Sequence, residues 1–340
     1  DRGDSSFRTR QLQRWIFQQR AANFEAMTDL PKALREALAE AFTLWRSSIV
    51  DHHRAADGTE KLVLEYPAKS RIECVLIRDG LRRTICVSSQ VGCAMGCVFC
   101  ASGLDGVERN LSRGEILEQA LRLQHLLPDQ ERLSHIVVMG MGEPLANLDS
   151  VIAALDVASH PEGLGISPRR ITISTVGLPS AMRRLAAERP QYRLAVSLHA
   201  PHDELRNRLV LINRKVGLPA ILEAADEYAE VTNNRLTFEY VLLGGVNDAP
   251  RDAEQLAHLL ADRSALLNVI PYNPVPGLPY RPPSLSAIQR FREILQRQGI
   301  NVQIRERKGD EIQAACGQLR RSQPIDHPEP ASPFERSPLS

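Results

Sequence analysis

The chain has 340 residues, of which 43% are hydrophobic and 24% charged, the balance of an ordinary globular protein, so a collagen-like, coiled-coil or wholly disordered chain is excluded for its bulk. Lys and Arg number 42 against 41 Asp and Glu, so net charge neither announces a nucleic-acid partner nor forbids one. No apolar run reaches the roughly 18 residues that span a bilayer, and the opening DRGDSSFRTRQ lacks the apolar stretch of a secretory signal, so a cytoplasmic protein with no membrane partner is expected.

From Phe7 to about Trp45, apolar residues recur at helical spacing, with Leu12, Trp15 and Ile16 first, then Phe24 and Met27, then Leu34, Leu38 and Phe42. Residues 1–50 are therefore expected to form a small helical domain. The runs KLVLEYP and IECVLIRD, joined by AKSR, predict a β-hairpin within a linker over 51–83. From residue 84, short apolar runs alternate with longer amphipathic ones. The predicted strands are 84–89, 135–140, 171–176, 193–198, 236–243 and 266–272, with helical segments between them and one after the last. Six βα units predict a parallel α/β sheet over 84–299, an open (β/α)6 partial barrel, because a closed ring needs eight. INVQIRE predicts one more strand in a C-terminal extension over 300–321, and the Pro- and Ser-rich 322–340 is expected to be a disordered tail. In such folds ligands bind at the carboxyl ends of the strands.

Four of the six cysteines fall close together, and three of them, Cys93, Cys97 and Cys100, have the spacing C-x3-C-x2-C just after the first barrel strand. Three thiolates can take three corners of one metal centre. A structural zinc site and a ferredoxin cluster each want four ligands, so three point to a [4Fe–4S] cube with one iron open, while zinc completed by a His or a remote Cys is the alternative. The later strand ends carry Gly142 and Glu143 in MGMGEPL, Ser174 in STVG, Ser197, Leu198 and His199 in SLHA, and Asn273 in IPYNP. Singly, each polar residue reads as a turn or cap. Together they would surround one ligand bearing an amine, a ribose and a carboxylate.

The three-cysteine motif, with Phe99 before the last cysteine, resembles the radical S-adenosylmethionine (SAM) enzymes, and the ordered set MGMGEPL, STVG, SLHA, IPYNP and GDEIQAACGQL resembles the RlmN/Cfr family of radical SAM RNA methyltransferases. The likeness extends from FRTRQLQRWIF to about Ser322. It implies a [4Fe–4S] cluster on Cys93, Cys97 and Cys100, with SAM bound by Gly142, Glu143, Ser174, Ser197, Leu198, His199 and Asn273. It further implies that Cys316 carries a methyl group as S-methylcysteine, that a protein–RNA crosslink forms through it, and that Cys86 resolves the crosslink as a disulfide. Glu73 matches the family's proton acceptor, and Cys74 beside it reads as a structural thiol.

The substrates implied are adenine in the peptidyl-transferase region of 23S rRNA and the adenine next to the anticodon of tRNA, with a donor such as flavodoxin or ferredoxin supplying electrons. An extruded base and contacts to the RNA backbone are then required. Arg8, Arg10, Arg14, Arg305, Arg307 and Lys308 are candidates for such contacts, although each alone reads as part of a solvated face. Pro144 favours methylation at carbon 2; a Cfr-like carbon-8 enzyme and a zinc-stabilised RNA-binding module are the alternatives, and a monomer is expected.

Overall fold

The computed structural model describes residues 6–188 and 191–320, so the expected tail lies outside the described residues. The N-terminal unit holds α1 (Ser6–Gln13), one π-helical turn (Arg14–Gln18) and α2 (Lys32–Ala41). The stretch between them is not helical, although Phe24 and Met27 follow a helical spacing. Both still turn inward with Ala21 and Leu30 to build a small core, against which Trp15, Leu34 and Leu38 pack. Burial of these side chains, rather than their backbone periodicity, decides this segment.

Ten strands form one sheet. In chain order its first members are β1 (Ser48–Arg54), β2 (Glu60–Glu65), β3 (Arg71–Asp79) and β4 (Arg82–Cys86), all antiparallel neighbours. The predicted hairpin is thus β2 and β3, and β3 also pairs with the first barrel strand, so the hairpin leads directly into the barrel sheet. β1 has no predicted counterpart: six of its seven residues are exposed and none is buried, so it shows no inside–outside alternation to read. A separate ribbon of β5 (Gln90–Gly92) and β6 (Val107–Asn110) brackets the cysteine loop.

The barrel follows as β7 (His135–Val138), β8 (Ile171–Thr175), β9 (Arg193–Ser197), β10 (Leu236–Leu242), β11 (Ala265–Pro271) and β12 (Val302–Ile304), all parallel to β4 and in sequential order. The crossovers contain α3 (Arg113–Gln124), α4 (Leu148–Ser159), α5 (Pro179–Glu188), α6 (Asp203–Leu209), α7 (Asn213–Val216), α8 (Leu218–Thr232), α9 (Pro250–Leu260) and α10 (Leu285–Arg297). The order β4-β7-β8-β9-β10-β11-β12 is an open arc, as six βα repeats require.

Local chemistry sets where the helices begin. At α3 the Ser112 hydroxyl accepts from Glu115 N at 3.3 Å and the Glu115 carboxylate accepts from Ser112 N at 2.8 Å, a reciprocal cap on two otherwise orphaned N–H groups. α8 ends at Asn233, in the left-handed region at φ 52°, where Asn is tolerated. The main core lies between sheet and helices, with Ile85, Ile136, Ile173 and Val196 facing Ile116, Leu155, Leu256 and Phe291. Each such side chain contributes about 1.5–3 kcal/mol on burial. A second apolar cluster, with Phe99, Leu209, Leu243 and Tyr272, packs around Cys97 and Cys100 and seats the cysteine loop on the barrel mouth. Among the described residues no helix is long and apolar enough to cross a membrane.

Candidate active site at the strand ends

The loop after β7 is pressed against the loop after β4. Gly142 has φ 101°, and a Cβ there would lie 2.6 Å from Gln90 Cβ and 2.8 Å from Gln90 N. Only glycine permits this approach. It lets Gln90 Oε1 accept from Glu143 N at 2.8 Å. The Glu143 carboxylate is buried and accepts from Leu145 N at 3.0 Å and from Val176 N at 2.9 Å, tying the β7 loop to the end of β8. Burial pushes this carboxyl above the usual carboxylate range; the two N–H groups and the Thr175 hydroxyl oppose that.

The cysteine loop is anchored by backbone. Cys93 N donates to Gly106 O at 2.9 Å, Cys97 bridges to Val210, and Cys100 N donates to Cys97 O at 3.2 Å. Burial raises all three thiol pKa values, that of Cys93 to about 12, and Cys97 is raised further by Cys100 and Cys93, so the three sulfurs feel one another's charge. Against burial stand N–H groups of Met95 and Gly142 at Cys93, the Ser102 N–H and hydroxyl and the Gly103 N–H at Cys100, and the Arg206 charge at Cys97. Among the described residues no group of three or more His, Cys, Asp or Glu side chains is gathered as single-ion ligands. Three neighbouring thiols, two with N–H groups directed at their sulfurs and the third near a guanidinium, fit an iron–sulfur cluster, whose potential such hydrogen bonds tune.

Ser174 and Ser197 stand on adjacent strands with their hydroxyls 3.5 Å apart. Leu198 is buried, and its N donates to Glu239 O at 2.9 Å. His199 has φ 61°, lies edge-on to Phe99 with ring centroids 5.0 Å apart, and accepts from Val241 N at Nδ1 at 3.0 Å, which leaves its proton on Nε2. Burial and then Arg206 lower its pKa to about 3, so it is a neutral imidazole. Asn273 is buried; its Nδ2 donates to Cys316 O at 3.0 Å, while its Oδ1 has no partner. Such an orphaned acceptor is costly unless a donor reaches it, and an amine-bearing ligand supplies one.

Two residues at this centre have no counterpart among the predicted site residues. Arg206 is fully buried, and its guanidinium donates to Leu198 O at 2.9 Å, Ser197 O at 2.8 Å, Val176 O at 2.5 Å and the Asn213 side chain, so one cation holds the ends of β8 and β9 together. Its position three residues before Leu209, on the apolar face of α6, was the available signal. Glu239 is buried on β10, accepts from Asn268 Nδ2 at 2.8 Å, and has its pKa pushed up to about 7 by burial. A carboxylate inside the apolar run LTFEYVLL is conspicuous, because strands covered on both faces are normally apolar throughout.

Cys86 ends β4, where burial and then Cys316 push its pKa up to about 12, with the Met139 N–H opposing, so the two thiols are electrostatic neighbours despite their separation in sequence. Cys316 is exposed, on a segment tied to two parts of the fold by three hydrogen bonds: its carbonyl to Asn273, Gly317 O to Ala101 N at 2.8 Å, and Leu319 O to the Ser102 hydroxyl at 2.5 Å. Its thiol is nevertheless surrounded by enough protein that burial, then Glu239, raises its pKa. Glu73 is buried on β3 and paired with Lys61 at 3.0 Å. Cys74 is wholly buried on the opposite face of the strand. Arg10, Arg14, Arg305 and Arg307 are exposed, but Arg307 also donates to Tyr272 O at 3.0 Å.

Family models match the chain in two places: the radical SAM superfamily over residues 87–260, and the ribosomal RNA large subunit methyltransferase N-terminal domain over residues 1–44. The chain is 62% identical over 322 residues to a protein of Rhodopirellula baltica named "Probable dual-specificity RNA methyltransferase RlmN", covering 95% of this chain and 87% of that protein. It is 45% identical to the "Dual-specificity RNA methyltransferase RlmN" of Anaeromyxobacter dehalogenans, covering 93% and 87%. The crystal structure of a radical SAM methyltransferase from Sphaerobacter thermophilus superposes with a TM-score of 0.90 at 43% identity, covering 93% of each chain. The chain therefore belongs to the RlmN family of radical SAM RNA methyltransferases, which work with a [4Fe–4S] cluster and SAM.

Proposed function

We propose that the protein methylates carbon 2 of adenine, in the peptidyl-transferase region of 23S rRNA and next to the anticodon of tRNA. The observation that supports this reading is that Cys316 is an electrostatic neighbour of Cys86, on a segment that hydrogen-bonds to Asn273 and to Ala101 at the end of the cysteine loop. A radical SAM enzyme acting on a small molecule has no use for that pair, and family membership replaces the zinc-stabilised alternative. Cys93, Cys97 and Cys100 would hold the cluster, and Gly142, Glu143, Ser174, Ser197, Leu198, His199 and Asn273 would surround SAM. When bound, these groups supply both a methyl group and a carbon radical able to abstract hydrogen.

The roles of this chain's residues follow from thiol and carboxylate chemistry. Cys316 takes the methyl on sulfur and presents the resulting carbon to the base, which becomes covalently joined to it. Glu73 accepts the proton from the base carbon, and the unpaired electron left on the joined base would pass to an oxidised carrier of the flavodoxin or ferredoxin class. Cys86, as thiolate, attacks the Cys316 sulfur; the sulfur–carbon bond breaks with its electron pair leaving on carbon, which takes a proton to become the methyl group, and a disulfide remains. Burial holds both thiols largely protonated, so deprotonation is a required part of each thiol step. The helical unit of residues 1–50 and the basic residues Arg8, Arg10, Arg14, Arg305, Arg307 and Lys308 would contact the RNA backbone, with residues 51–83 as linker and 300–321 as the segment delivering Cys316. A monomer in the cytoplasm, reduced by a flavodoxin or ferredoxin, completes the proposal.

The test is mass spectrometry of nucleosides after anaerobic incubation of reconstituted protein with SAM, a reductant and either 23S rRNA fragments or tRNA. The expected product is 2-methyladenosine, absent with Cys316→Ala. 8-Methyladenosine would overturn the regiochemistry, and SAM cleavage with no methylated base would overturn the RNA substrate.

A further inference from the structure

Lys61 and Glu73 are diagonal neighbours on one face of the β2–β3 pair, since Val63 is opposite Glu73 and Lys61 opposite Val75. Their side chains are 7% and 5% exposed, and Nζ lies 3.0 Å from Oε1. Two further contacts engage this pair. The other Glu73 oxygen accepts from Arg320 N at 3.0 Å, and Lys61 Nζ donates to Gln313 O at 3.3 Å. The segment that bears Cys316 therefore rests one end on the cation and the other on the anion of a single buried ion pair. The remaining ionisable groups that face Glu73 are His53 on β1, which favours its charged form, and the buried Cys74 thiol, whose own pKa Glu73 helps to raise.

A buried ion pair is poor evidence of stabilisation for its own sake, because desolvating two charges offsets much of their attraction. Removing one partner, by contrast, leaves an uncompensated charge. A pair on which the Cys316 segment is seated at both ends is thus better read as a positioning device. We propose that Lys61 is a positioning residue that orients the Glu73 carboxylate and clamps the Cys316 segment against it, so that proton uptake by Glu73 loosens the segment. This rests on the reading of Glu73 as proton acceptor. The proton passes from the base carbon to a Glu73 oxygen, the bonding pair staying with the base. Neutral Glu73 then attracts Lys61 weakly and accepts poorly from Arg320 N. Release of the Cys316 segment is thereby tied to completion of the proton transfer rather than left to chance opening.

Two measurements on the full, cluster-loaded protein test this. In the first, decay of the protein–RNA crosslink is followed from pH 6 to 9 in wild type, Lys61→Met, Lys61→Arg and Glu73→Gln. With Lys61 gone, Glu73 is charged only at higher pH, so Lys61→Met should resolve the crosslink at least tenfold more slowly at pH 7 and regain speed as pH rises. Lys61→Arg should stay within a few fold of wild type. A Lys61→Met profile that superposes on wild type overturns the role of Lys61, whereas unimpaired resolution in Glu73→Gln overturns the proton-acceptor reading instead.

The second measurement needs no chemistry. Amide hydrogen exchange over residues 313–320 should accelerate about tenfold or more in Glu73→Gln, which mimics the protonated carboxyl. Unchanged exchange overturns the coupling, even if Lys61→Met fails to fold.

Discussion

The side-chain amide of Asn273 donates to the carbonyl of Cys316 at 3.0 Å, so a residue just past the end of β11 holds the segment that carries the Cys316 thiol. Its carbonyl oxygen is buried with no partner in the protein. One amide thus holds the Cys316 segment with its nitrogen and leaves its oxygen for a ligand donor, which the proposed SAM site would supply. Asn273→Ala should raise the KM for SAM and lower the rate of Cys316 S-methylation, each by about tenfold, the value of one hydrogen bond of about 1.4 kcal/mol. Steady-state kinetics together with intact-protein mass would separate the two effects. A change in neither quantity would remove Asn273 from the site.

Arg206 predicts a stability effect. Arg206→Met leaves three backbone carbonyls and Asn213 without their charged donor in a buried place. The loss should be about 3 kcal/mol or more. Chemical denaturation of the variant against wild type measures it, and a difference below about 1 kcal/mol would show that the strand ends hold without the guanidinium.

Glu239 predicts a pH dependence. Its folded pKa is raised from 4.5 to about 7, so the folded state binds the proton more tightly than the unfolded one. Stability from this group is therefore lost as pH rises from 4.5 to about 7, by at most about 3 kcal/mol. Glu239→Gln keeps an acceptor for Asn268 and removes the titration. Relative to wild type it should gain stability between pH 5 and pH 8, read as a growing difference in melting temperature. A pH-independent difference would place the carboxyl in a more polar setting than its burial indicates.

Gly142→Ala places a Cβ 2.6 Å from Gln90 Cβ at φ 101°, so the β7 loop must move away from Gln90 and take Glu143 with it. SAM binding should weaken by about tenfold or more while the fold persists, because the strain is confined to a loop. Equilibrium binding of SAM, with circular dichroism as the fold control, decides between this outcome and an unchanged affinity.

Cys93→Ser, Cys97→Ser and Cys100→Ser should each reduce iron after anaerobic reconstitution to near background and abolish the brown colour, since three thiolates leave no ligand to spare. Stoichiometric iron in any of them would remove that residue from the cluster.

Much of the architecture was legible because it is written in local periodicity: alternating apolar runs and amphipathic segments announced the βα repeats, and six of them implied an open arc. β1 was not legible, since its exposed residues leave no alternation to read. The cysteine motif was legible because its three cysteines are spaced within a single short loop. Arg206 and Glu239 are not legible although each breaks an apolar pattern, because a polar residue inside such a run shows its meaning only when its partners are known, and those partners come from other elements.

The sequence by itself determined the order of the elements, the three-thiol loop and the set of polar residues at successive strand ends, all consequences of spacing within a few residues. Only the tertiary structure decided that Cys316 comes to rest near Cys86, and that Gln313 and Arg320 grip Lys61 and Glu73 from the far end of the chain. Those contacts depend on how the sheet curves and where β12 delivers the last segment. No local pattern encodes them, because they arise from burial and hydrogen-bond satisfaction between residues that the chain itself holds far apart.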